Sequence, residues 1–95
     1  MSAYIVADLV VKDPETFSGY GSRVSEIITK YGGKFIVRGG EMDKVEGDWD
    51  VTRLVILEFP DMAALRRFWA SEDYKAILPL RLAAADSRII FVDGV

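Results

Sequence analysis

The sequence predicts an α+β fold of ferredoxin-like type: a four-stranded antiparallel sheet with two main helices on one face. Three observations lead there. Apolar, β-branched segments alternate with amphipathic ones in the order β-α-β-β-α-β, the order of a split βαβ sandwich. A short strand, Lys34 to Arg38, is bracketed by the pairs Gly32-Gly33 and Gly39-Gly40. Such pairs permit the sharp reversals that stop a helix and turn a strand. Finally, the strands do not alternate cleanly between apolar and polar. Both faces of the sheet are therefore largely apolar, and the face away from the helices calls for a cover that the chain itself does not supply.

The elements follow in order. Ala3 to Val11 reads as a strand rich in Ile, Val and Leu, with one internal charge, Asp8. Asp13-Pro14-Glu15 opens a helix: Asp caps it, Pro suits the first helical position, and Glu favours the positive end of the dipole. Phe17, Tyr20, Val24, Ile27, Ile28 and Tyr31 recur at helical spacing and form one apolar stripe, which Gly32 closes. Gly19 and Gly21 lie inside this helix at a cost of about 1 kcal/mol each against alanine. Close packing, a frayed first turn or room for a ligand would each account for them. Lys34 to Arg38 is the second strand, and Gly39 to Asp50 a polar loop. Thr52 to Phe59 is the third strand, ended by Pro60. Asp61 caps a helix from Met62 to about Ala70. Ser71 caps a further helical stretch through Tyr74, Ile77 and Leu78, which Pro79 is expected to interrupt or kink. Ser87 to Asp93 is the last strand. Linkers and repeats are absent, so a single domain over residues 1–95 is expected.

Composition narrows the function classes. Half of the chain, 51%, is hydrophobic, which is high for a domain that buries only about 60–65% of its unfolded surface. A homodimer, with two sheets packed face to face, is the simplest destination for the surplus. Fifteen acidic against twelve basic residues give a net charge of −3. That argues against nucleic acid as a partner and against docking on an anionic membrane. With no signal segment, no spanning apolar run and no cysteine, a soluble cytoplasmic protein is the expectation. The chain contains no histidine either. Ser-His-Asp and Cys-His catalysis and His/Cys zinc sites are excluded, and acid–base chemistry falls to carboxylates, tyrosines or lysines.

Charges set within apolar strands are the candidate site residues: Asp8, Arg38, Arg53 and Glu58. Such charges are costly unless paired. One reading is structural, with Asp8 beside Arg38 or Arg53, or Glu58 beside an arginine. The other is functional: an arginine grips an anionic or enolate-like oxygen while a carboxylate acts as base. Strand alternation puts Arg53, Val55, Leu57 and Phe59 on one side and Leu54, Ile56 and Glu58 on the other. Tyr20 and Tyr31 fall on the stripe of the first helix. Phe68 and Trp69 are adjacent, so one of them should line an interface or a pocket mouth. Tyr74 belongs to the same aromatic set, and Arg81, beyond Pro79, either reaches back towards that mouth or is solvated. The acidic loop Glu41–Asp50 lacks EF-hand spacing, and no metal is expected there. The glycines complete neither a phosphate-binding loop nor a dinucleotide fingerprint.

Taken together, Tyr31-Gly32-Gly33-Lys34-Phe35, Arg38-Gly39-Gly40, Glu46-Gly47, Arg53-Leu54-Val55, Glu58-Phe59-Pro60, Trp69 through Tyr74, and Asp93-Gly94 resemble, in order and spacing, the family called domain of unknown function 1330. The resemblance spans nearly the whole chain. It implies a dimeric α/β-barrel, in a superfamily that also hosts cofactor-free monooxygenases, muconolactone-type isomerases and haem-using enzymes. The haem-using relatives depend on a histidine that this chain lacks. The family's recurring positions correspond to Arg38, Arg53, Glu58, Arg81, Tyr20 and Tyr74. The resulting expectation is a metal-free, cofactor-independent enzyme acting on a small oxygenated organic acid or phenol. Arg38, Glu58 and Asp8 would be catalytic, and Tyr20, Arg53, Trp69, Tyr74 and Arg81 would bind substrate. The alternative is a dimer that binds a small-molecule ligand without turnover.

Overall fold

The computed structural model describes residues 1–95. The chain runs β1 (Ala3–Val11), α1 (Pro14–Lys30), β2 (Lys34–Arg38), β3 (Leu54–Phe59), α2 (Met62–Ala70), α3 (Glu72–Ala84) and β4 (Ala85–Asp93). The strands form one sheet in the order β2-β3-β1-β4, with every neighbour antiparallel. This is the ferredoxin-like order, and it places β1 and β3 at the centre.

Local chemistry sets the helix ends. The Asp13 carboxylate caps α1, accepting from the Thr16 amide at 3.3 Å and the Thr16 hydroxyl at 2.7 Å. Asp61 accepts from the Ala64 amide at 2.7 Å, and the Ser71 hydroxyl accepts from the Tyr74 amide at 3.1 Å. Each cap satisfies amides that have no partner within the helix. At the far end of α1, Gly32 takes φ 85°, a conformation that side chains resist. Gly33 follows it because a Cβ there would lie 2.6 Å from the Phe59 ring.

Three boundaries differ from the sequence expectation. β3 begins at Leu54 rather than Thr52, although the Arg53 carbonyl still accepts from the Leu9 amide at 2.9 Å. β4 begins at Ala85 rather than Ser87, since Val11 at the end of β1 still finds a partner in Ala85. Pro79 does not break α3. The helix continues through it to Ala84, with the proline on its exposed side. The one break between these helices is the expected one at Ser71, which ends α2 and caps α3.

The core lies between the sheet and the helices. β1 contributes Ala3, Ile5, Ala7 and Leu9, and β3 contributes Val55, Leu57 and Phe59. The helices supply Val24, Ile28, Leu65, Phe68, Tyr74 and Ile77. Each large apolar side chain fully buried here contributes about 1.5–3 kcal/mol. No helix covers the opposite face. It carries a belt formed by Val37, Ile56, Val6 and Ile90, paired in register. Ile90 is 62% exposed and Val92 43%.

β2 contains a bulge. Phe35 pairs with Leu57, but the next pair is Val37 with Ile56, so Ile36 is inserted without a partner. The shift turns Arg38, opposite Val55, onto the helix side of the sheet together with Phe35. Strict alternation would have sent Arg38 to the same side as Lys34.

Candidate functional site

A cavity opens between the sheet and the helices. Ala7 and Leu9 of β1 form part of its floor. Aromatic walls come from Phe17 and Tyr20 of α1, Phe35 of β2, Trp69 of α2 and Tyr74 of α3. It is narrow, with a volume of about 70 Å³. Its charged lining is three arginines, Arg38, Arg53 and Arg81, and none of the chain's fifteen acidic residues lines it. None of the three arginines takes part in an ion pair; those in the structure join Lys12–Asp86, Lys30–Asp73, Lys34–Glu58, Lys44–Asp50, Lys75–Glu72 and Arg88–Asp8.

Each arginine is held differently. Arg81 sits in the last turn of α3, where a cation is favoured by the helix dipole. It is only 5% exposed. Its Nε donates to the Tyr74 hydroxyl at 3.3 Å and its Nη1 to the Ser87 hydroxyl at 2.7 Å. Those neutral acceptors orient the guanidinium without neutralising it. Arg38 lies over the Phe35 ring at 4.1 Å, a stacking contact made possible by the bulge. Arg53 has a buried Nε without a hydrogen-bond partner. Its guanidinium fits against Gly39, whose φ is +66° and where a Cβ would come within 2.5 Å of Nη1. The second glycine pair thus both turns the chain and clears space for Arg53.

Tyr20 and Tyr74 extend the polar line inward. Their hydroxyls are 2.9 Å apart, so the chain Arg81–Tyr74–Tyr20 is continuous. Burial, and then the neighbouring Tyr74, push the Tyr20 phenol well above its ordinary pKa, against a smaller opposing effect of Arg81. Tyr20 is therefore a neutral hydrogen-bonding group near pH 7, not a base. Trp69 packs on Tyr74 with ring centres 5.1 Å apart, and Arg81 lies 5.8 Å from the Trp69 ring centre. Phe68 beside it is in the core at 1% exposure, so of the adjacent pair it is Trp69 that is partly exposed.

Six of the sequence candidates thus meet around one cavity: Arg38, Arg53, Arg81, Tyr20, Trp69 and Tyr74. Asp8 and Glu58 do not join them, and contrary to expectation neither carboxylate pairs with a pocket arginine. Both lie on the open face of the sheet. Asp8 pairs with Arg88, which stands directly opposite it on β4. Glu58 accepts from the Tyr4 hydroxyl at 3.1 Å and lies 3.4 Å from Lys34 Nζ. Hydrogen bonds from Ser2 and Tyr4 hold the Glu58 carboxyl below its ordinary range, which makes it a weaker base still. The physical reason is side-chain alternation: Asp8 and Glu58 are out of phase with Leu9, Val55 and Leu57, which face the cavity.

Sequence reasoning missed the Ser87 hydroxyl that orients Arg81, and Arg88, the partner of Asp8. Ser87 had one available signal, its alternation with Ile89 and Phe91 along β4. No group of three or more Asp, Glu, His or Cys side chains is arranged to hold a metal.

Solved structures share this architecture. The methylated RPA0582 protein superposes with a TM-score of 0.81 at 19% identity, over 99% of this chain and 81% of that one. A second structure of RPA0582, described as a protein of unknown function from Rhodopseudomonas palustris, gives 0.79 at 20% identity, over 99% and 82%. A dimeric ferredoxin-like protein of unknown function from Jannaschia sp. CCS1 gives 0.76 at 13% identity, over 99% and 100%. SnoaB, a cofactor-independent oxygenase from Streptomyces nogalater, gives 0.67 at 15% identity, over 99% and 93%. At these identities the likeness is one of fold. No curated protein matches the chain. The family described as domain of unknown function (DUF1330) matches residues 2–95, and the chain belongs to that family.

Proposed function

We propose that this protein is a homodimer in which each subunit binds a small oxygenated organic anion, an acid or an ionised phenol, in the cavity between sheet and helices. We further propose that it acts on that ligand without metal or cofactor, as an isomerase or monooxygenase. The observation that carries the reading is the convergence of three unpaired guanidiniums on an aromatic-walled cavity in a chain of net charge −3. Of the three, Arg81 is buried, Arg53 half-buried and Arg38 exposed; a buried charge without a counter-ion costs several kcal/mol, and an anionic ligand would offset that cost at Arg81. Arg81, oriented by Tyr74 and Ser87, would grip the oxyanion, and Arg38 and Arg53 would add to the field at the mouth. The same field would favour the ionised form of a weakly acidic substrate, whose proton is given up to solvent water on binding.

The comparison with SnoaB supports the oxygenase branch. The open apolar face and the dimeric relative from Jannaschia support the homodimer. The lack of cysteine and of any helix long and apolar enough to cross a membrane is compatible with a cytoplasmic setting. One observation favours the second reading, binding without turnover. With Asp8 and Glu58 on the other face and Tyr20 held neutral, the cavity contains no ready proton acceptor.

The test is a titration with 4-hydroxybenzoate and its neutral amide, followed by Trp69 fluorescence in a Trp49→Phe background. The acid should bind, the amide should bind at least about tenfold more weakly, and Arg81→Met should erase that difference. Equal affinity for acid and amide in the wild type would contradict the reading. Oxygen uptake or product formation from any ligand that binds then separates enzyme from binder.

A further inference from the structure

The geometry points to Gly21 as the residue that sets the size of the ligand, admitting a flat anion of two fused rings where alanine would admit only a single ring and a bulkier residue neither. The inference rests on the anion-binding reading above and extends it to the apolar part of the ligand. Gly21 lies well inside α1, where glycine is the poorest helix former apart from proline. Two ordinary reasons for a helical glycine are absent. Its φ is not positive. Nor is it a packing contact: a Cβ built on it meets nothing within 4 Å. Gly19, one residue pair earlier, differs in this respect, since a Cβ there would touch Leu80 at an ordinary 3.9 Å.

What Gly21 does face is the cavity. Ala7, another small residue of the lining, stands in the sheet between Val55 and Ile89. A methyl added at Gly21 would project into the open space of the cavity. The rings around it, Tyr20, Trp69 and Tyr74, offer faces and edges to a planar partner. A ligand with its oxyanion at the arginines would thus lay its ring against Gly21.

The experiment uses benzoate and 2-naphthoate as probes, with wild type, Gly21→Ala and Gly21→Leu. Gly21→Ala should bind 2-naphthoate at least about tenfold more weakly, the usual effect of one methyl group in a tight apolar site, while benzoate changes by less than about threefold. Gly21→Leu should lose both. In the absence of ligand, Gly21→Ala should melt higher by a few degrees, up to about 8 °C. Wild-type affinity for 2-naphthoate retained in both variants would overturn the role of Gly21 and leave the anion site standing. A lower melting temperature for Gly21→Ala would also overturn it, by showing that the glycine serves packing. Failure of the wild type to bind either probe would overturn the anion site and the size role together.

Discussion

The two faces of the sheet handle charge in opposite ways. On the open face, charges are matched across neighbouring strands: Asp8 with Arg88, and Glu58 with Lys34 and Tyr4. Between these rows runs the apolar belt of Val37, Ile56, Val6 and Ile90. On the helix face, the charges around the cavity are all of one sign, and their polar contacts within the chain are hydroxyls. A face that is neutral and apolar suits burial against an identical face. A cavity with unbalanced positive charge suits a ligand that brings the balancing charge. The difference explains why residues that look alike in sequence, a few charges set in apolar strands, have unlike roles.

The largest expected effect breaks the open face. Ile56→Asp places an unpaired carboxylate in the middle of the belt, at a cost of several kcal/mol if a second copy buries it. Sedimentation should then show monomers where the wild type shows dimers, while the fold and the cavity persist. A wild type that sediments as a monomer at micromolar concentration would remove the proposed role of that face. A smaller effect probes the cavity. Tyr20→Phe deletes the 2.9 Å hydrogen bond to Tyr74 and should cost about 1 kcal/mol, or a fall in melting temperature of roughly 4–8 °C.

The smallest effect concerns pH. The Glu58 carboxyl has a lowered pKa in the folded chain, chiefly through hydrogen bonds from Ser2 and Tyr4. A lowered value means that stabilisation is fully present above the ordinary glutamate pKa and is lost as pH falls through the folded one. The melting-temperature difference between wild type and Glu58→Gln should therefore be present at pH 7 and vanish in acid. A difference that grew on acidification would contradict the assignment.

The fold was legible because its signals are local. Asp13-Pro14, Asp61 and Ser71 mark helix starts by capping chemistry, Gly32 marks a stop by backbone freedom, and the apolar strands announce themselves by composition. The site was legible only in part. Tyr20, Arg53, Trp69 and Tyr74 could be named from spacing and residue type. The orientation of Arg38 could not, because the bulge at Ile36 arises from how β2 pairs with β3, and a one-residue insertion reverses every side chain beyond it. The burial of Arg81 depends on α3 running unbroken past Pro79 and delivering its last turn to Ser87. The separation of Glu58 from Arg53 was implied by alternation along the third strand. Which of the two sides the helices would cover is a tertiary choice, and it decides that the carboxylates stay outside the cavity.

The measurement that tests the central claim most directly is thermal melting of the Arg38→Met, Arg53→Met double variant in dilute buffer without ligand. If the charge of the buried Arg81 is uncompensated, removing the exposed Arg38 and the half-buried Arg53 relieves repulsion on it and also removes the buried, partnerless Nε of Arg53. The melting temperature should then stay level or rise. A fall of several degrees would mean that these arginines are balanced within the protein itself, and would contradict the account of the cavity as a site for an anion.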